Sequence, residues 1–127
     1  MKPYEFEQLV CDHYRQKGYR VQTTSASNDY GIDVFAEKKG EKIAVQVKMY
    51  GGSTRKVNRQ TMMELYGAAA YFDCTKAVLA TDGEVLTDAK EVAHKLGIDI
   101  LFIQPDRKIS MPIWITSSAD RGIRQPK

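Results

Sequence analysis

Asp33, Gln46 and Lys48 are polar residues set among apolar ones. Asp33 lies between Ile32 and Val34, while Gln46 and Lys48 interrupt the run IAVQVKMY at 43–50. A carboxylate, an amide oxygen and an ammonium brought to one place would suit phosphodiester hydrolysis. Hard oxygen donors hold Mg²⁺, which keeps several of its waters. A neighbouring lysine can hold or deprotonate a water, or offset charge on a phosphate. Two plainer readings stand beside this one. Gln46 and Lys48 could simply face water, or Asp33 and Lys48 could form a cross-strand ion pair, worth only about 0–1 kcal/mol when exposed.

The elements that must position these residues are legible from periodicity. Residues 42–50 read as a strand, rich in β-branched residues and bounded by Gly40 and Gly51-Gly52. Alternation puts Ile43, Val45, Val47 and Met49 on one face, and Ala44, Gln46, Lys48 and Tyr50 on the other. Residues 32–37 form the preceding strand, joined to it by a short turn at 38–41. Pairing about that turn sets Asp33 beside Gln46 and Lys48.

Upstream, Phe6, Leu9, Val10 and Tyr14 recur at helical spacing over residues 4–17, and Gly18 ends that helix. Glu7 shares a face with Val10 and Tyr14, so it can reach the sheet; the plainer reading is an acid favoured by the helix N-terminus. Residues 19–24 read as a strand, and Asp29 as a turn cap in the polar stretch 25–31. Downstream, 51–56 is expected to be a flexible basic loop. Asn58 then caps a helix to about Phe72 with Met62, Leu65, Tyr66, Ala69 and Ala70 inward. Residues 77–81 form a buried strand. A helix from Thr87 or Asp88 buries Val92, Ala93 and Leu96 and stops at Gly97, and 98–103 is a last strand. The order α-β-β-β-α-β-α-β predicts an α/β fold, with a mixed sheet and helices on both faces. One domain is expected over 1–104, followed by a basic extension at 105–127 with no separate core.

The totals agree. The 127 residues, 43% hydrophobic and 28% charged, suit one globular domain. No apolar run approaches the roughly 20 residues a membrane helix requires. Cys11 and Cys74 lack disulfide or zinc spacing and read as small apolar residues, so a reducing cytoplasm is the expected setting. His13 and His94 read as surface or packing residues. The net charge is only +3, with pI near 8.8, but its distribution is uneven. Lys48, Arg55, Lys56 and Arg59 fall in one stretch without an acid, an arrangement that suits a phosphate backbone or an ordinary solvated surface.

Together, FEQLV with Glu7, NDYGIDVFA with Asp33, and AVQVKMY with Gln46 and Lys48 resemble the Mrr-like (type IV restriction) branch of the PD-(D/E)xK nuclease superfamily. Asp33 and Gln46 are separated by twelve residues, a spacing typical of that branch. The likeness continues through ELYGAAAYF and AVLATDGEVLTDAKEVAHKLGI and covers about residues 4–103. It implies a restriction-endonuclease-like three-layer α/β/α fold and Mg²⁺-dependent DNA cleavage, with Mn²⁺ as a substitute. By position, Asp33, Gln46 and Glu7 would hold the metal and Lys48 would be the catalytic lysine. Gln46 departs from the wider superfamily, which has Glu or Asp there.

Arg55, Lys56 and Arg59 would follow the phosphate backbone, with Asn28 and Tyr50 flanking the cleft. The partner would be double-stranded or branched DNA, cut by a homodimer, with no membrane involved. Mrr-type enzymes usually carry a separate target-reading domain, and none is expected within these 127 residues. Methylation dependence is then not expected to follow from the family, and specificity is expected from DNA shape, dimerisation, a partner or nothing. Two rival readings are a junction resolvase of the same fold and a non-catalytic DNA-binding adaptor.

Overall fold

A computed structural model describes residues 2–24, 30–104 and 109–111. Its elements run α1 (Pro3–Gln16), β1 (Arg20–Thr23), β2 (Val34–Lys38), β3 (Glu41–Lys48), α2 (Arg59–Tyr71), β4 (Lys76–Thr81), α3 (Thr87–Leu96), β5 (Asp99–Ile103) and β6 (Ile109–Ser110). The strands form one sheet in chain order: β1, β2 and β3 are antiparallel, β3, β4 and β5 parallel, and β6 antiparallel to β5. The α/β order expected from periodicity is present. The short strand β6 is additional, because two residues are too few to produce a periodic signal.

Turn chemistry sets the central hairpin. Lys39 and Gly40 both have positive φ, 44° and 85°, so the two-residue connection matches the right-handed twist of the strands. Lys38 then pairs with Glu41 and Val34 with Val45. Continuing that register by one step sets Asp33 opposite Gln46.

Two apolar cores lie on opposite faces of the sheet. On one, Phe6, Val10 and Tyr14 of α1 cover Val45, Val78 and Leu101. On the other, Met62 and Leu65 of α2 and Ala89 and Ala93 of α3 cover Ala44, Leu79 and Ile100. Strand β4 is enclosed from both sides and buries Ala77 through Thr81, as a central parallel strand must. Asn58 caps α2 by accepting the Thr61 N–H at 2.9 Å, and Gly97 ends α3 at φ 75°.

The inward stripe of α2 is rotated from the expected one. Ala68 is buried, whereas Tyr66 is 47% exposed and Ala70 faces outward. Two alanines fit close against the sheet, and the wider tyrosine is left on the solvent side. Similarly, Ala89 and Ala93 carry the α3 contact, with Val92 and Leu96 only partly buried. Met49, expected to continue the inward face of β3, lies past the strand end and is 36% exposed.

Candidate active site

Asp33 immediately precedes β2 and closes the hairpin ladder with its side chain. Its N–H donates to the Val45 carbonyl at 2.8 Å, and its Oδ2 accepts the Val47 N–H at 2.7 Å. A backbone donor on β3 is thereby satisfied where β2 diverges, and the carboxylate is held at the open end of the strand pair. Thr24 secures the segment from the other side: its N–H reaches the Asp33 carbonyl at 3.0 Å and its hydroxyl the Ile32 carbonyl at 2.9 Å.

Gln46 projects from the same face of β3 as Ala44 and is only 8% exposed, so it does not simply point at water. Its Oε1 is buried without a hydrogen-bond partner, the only such side-chain atom among the described residues. A buried polar atom left unpaired costs about 1–3 kcal/mol. Gly31, at φ 86°, makes room for this side chain: a Cβ there would come within 2.8 Å of Gln46 Nε2. Gly31→Ala is therefore expected to cost about 1–2 kcal/mol of stability through its left-handed backbone and to displace the Gln46 amide. Denaturant unfolding measures the first effect; an unchanged midpoint would show that the site tolerates a side chain at 31.

Lys48 ends β3. Its carbonyl accepts the hydroxyl of the buried Thr81 at 2.7 Å, and that hydroxyl also accepts the Gly83 N–H at 3.0 Å. The ends of the parallel strands β3 and β4 are thus tied together where Lys48 leaves the sheet. The ammonium lies 5.9 Å from the centroid of the Tyr50 ring. No ion pair among the described residues includes Lys48, so the direct Asp33–Lys48 bridge is not formed. The two groups still interact through space, because Lys48 lowers the Asp33 pKa.

Helix α1 brings Glu7 to the same place. Burial raises its pKa from the ordinary glutamate value, and the charge of Asp33 raises it further. Burial likewise raises Asp33, while the Val47 N–H and Lys48 pull it partly back. Two under-solvated carboxylates close enough to repel form a place that favours a cation. The side-chain oxygens available here belong to two carboxylates and one amide; no cluster of three or more His, Cys, Asp or Glu arranged to hold a metal occurs among the described residues.

The basic residues after β3 divide into two groups. The Arg55 guanidinium stacks 4.4 Å from the Tyr50 ring and donates to its hydroxyl at 3.0 Å. Lys56 pairs with Glu84 at 3.5 Å and Arg59 with Asp88 at 2.9 Å, so both reach toward the start of α3. This loop is more organised than a flexible linker. Asp82 accepts the Gly51 N–H at 2.7 Å, and Ser53 bonds the Tyr50 carbonyl through both its N–H and its hydroxyl. Asn28 and Asp29 lie outside the described residues. Thr81, Asp82 and Gly83 were not singled out from sequence; the available signal was a Thr-Asp-Gly turn directly after a buried strand.

Comparison with known proteins agrees with this architecture. A family model described as a restriction endonuclease (Mrr_cat) matches residues 1–108. The uncharacterized protein y4cE of Sinorhizobium fredii is 34% identical over an alignment of 111 positions that covers 79% of this chain; the chain spans 27% of that protein's length. Among solved structures, AF1548, a protein of unknown function, superposes with a TM-score of 0.62 at 17% identity, covering 96% of this chain and 71% of its own. The restriction endonuclease MspJI, solved with a 27-mer oligonucleotide, gives a TM-score of 0.51 at 15% identity, over 73% of this chain and 23% of its own. Those two likenesses concern the fold, whereas the family match spans residues 1–108, most of the sequence. The chain belongs to the Mrr_cat restriction endonuclease family.

Proposed function

We propose that this protein is a Mg²⁺-dependent DNA endonuclease of restriction or defence type. The observation that carries the reading is the unpartnered buried oxygen of Gln46 beside Asp33 and Lys48, at the open end of the β3 strand. Folding leaves that oxygen unsatisfied, and an oxygen-coordinated cation would satisfy it. The residues present fit Mg²⁺ or Mn²⁺: Asp33 and Gln46 would hold the ion directly and Glu7 would assist, through water. Bound there, the ion would supply Lewis-acid polarisation of a scissile phosphate.

The chain's own groups do the remaining work. Lys48 orients the attacking water and offsets charge developing on the phosphoryl oxygens. The Val47 N–H fixes the direction of Asp33, and the Thr81 hydroxyl fixes the strand end that carries Lys48. Arg55, seated on Tyr50, faces the phosphate backbone without reading sequence. Lys56 and Arg59 would join it only by exchanging their exposed carboxylate partners for phosphate. That exchange costs little, since exposed pairs are worth about 0–1 kcal/mol. Cleavage of both strands calls for two such sites, hence a homodimer on DNA.

The test is incubation with supercoiled plasmid and with a four-way junction, in Mg²⁺ and in EDTA. Nicking or linearisation of plasmid that EDTA stops is the expected result. Cleavage confined to the junction would make the protein a resolvase. Binding without metal-dependent cleavage of either substrate would leave the adaptor reading.

A further inference from the structure

A groove of about 560 Å³ opens on the α2 side of the sheet, lined by Tyr30, Glu64, Gly67, Ala68 and Tyr71. Its two tyrosines are 66% and 67% exposed, and their rings meet edge to face at 5.2 Å. Phe72 braces both rings from below, at 6.0 Å from Tyr30 and 5.0 Å from Tyr71.

Two residues here are poor local choices. Tyr30 is in the left-handed region at φ 52°, a conformation that bulky residues seldom adopt. Gly67 lies in the interior of α2, where glycine is the weakest helix former short of proline. The fold does not require that glycine, because a Cβ at 67 would meet nothing within 4 Å. Its effect is to keep the groove floor clear. Local rules broken together at one place mark a functional surface.

We propose that this groove is a stacking slot for an unpaired nucleobase of the DNA substrate, so that the protein acts on DNA with a single-stranded segment beside the cut. The proposal rests on the nuclease reading above. Its groove begins at Tyr30, one residue from the glycine that accommodates Gln46. The occupant is a base and not a phosphate, since among the described residues no Lys or Arg lines the groove and the Glu64 carboxylate does. Aromatic rings stack on any base whose face is uncovered, which in duplex DNA none is. Glu64, braced by the Gln60 amide at 2.9 Å, can accept from a base amino group at the rim.

The test measures binding of the full chain, in EDTA, to a fluorescein-labelled single strand and to a blunt duplex. Gly67→Leu fills the floor and replaces a poor helix former with a good one, so the fold is expected to survive, which thermal unfolding of the same sample checks. The ratio of single-strand to duplex affinity is expected to fall about tenfold in Gly67→Leu and in Tyr71→Ala, and to be kept in Tyr71→Phe. An unchanged ratio in Gly67→Leu overturns the slot. So does a shift from dimer to monomer in sedimentation with the ratio intact, which would make the groove a self-association face. Neither result bears on metal-dependent cleavage of plasmid and four-way junction by the unaltered chain; its absence from both substrates would instead overturn the nuclease reading.

Discussion

Lys48→Ala is expected to slow metal-dependent plasmid cleavage by about a hundredfold or more, with the protein still folded. The figure is the usual cost of removing one preorganised group aimed at charge that develops in the transition state. Folding is expected to survive because Lys48 makes no ion pair among the described residues, and the bond that anchors the strand end uses its backbone carbonyl, which alanine keeps. Single-turnover cleavage and thermal unfolding of the same samples separate the two quantities. Cleavage close to that of the unaltered protein would remove Lys48 from the chemistry, and a collapse in melting temperature would make it a structural lysine.

Asp33→Asn is expected to abolish cleavage to a similar degree while leaving the metal-free protein as stable as before, or more so, near neutral pH. Burial raises the pKa of Asp33 in the folded state above its unfolded value. The folded protein therefore binds this proton more tightly than the unfolded chain does. The resulting stabilisation is fully present below the unfolded pKa and is lost as pH rises through the folded one. At neutral pH the ionised carboxylate is consequently a burden on the metal-free fold. An asparagine oxygen can still accept the Val47 N–H without carrying that charge. The gap in melting temperature between Asp33→Asn and the unaltered protein is thus expected to widen in the variant's favour as pH is raised from acid to neutral. Saturating Mg²⁺ should narrow it by stabilising the unaltered protein alone. Glu7, also raised by burial, pushes in the same direction. A variant less stable than its parent at every pH would show that Asp33 is held as an ordinary structural acceptor.

Much of this site is legible because its geometry is local. A two-residue turn with positive φ at Lys39 and Gly40 fixes the hairpin register, and register with strand alternation sets Asp33 opposite Gln46 and puts Lys48 two residues further along. The helix ends are equally local: Asn58 and Gly97 act within one turn of themselves. Glu7 was ambiguous in sequence for the opposite reason, since its meaning depends on packing α1 across the sheet.

What sequence alone determined here is therefore the set of elements apart from β6, the hairpin register and the grouping of three polar residues at its open end. All of these follow from dihedral preferences and side-chain period over a few residues. The tertiary structure decided which of those groups are desolvated. Gln46 is buried because helices cover its face of the sheet and Gly31 yields space, and only that enclosure turns a polar residue on a strand into an oxygen without a partner. It also decided that Asp82, thirty-one positions from Gly51, orders the basic loop, and that Ala68 and not Tyr66 meets the core. Burial and long-range pairing depend on every layer that closes over a residue, and no window of neighbouring residues contains those layers.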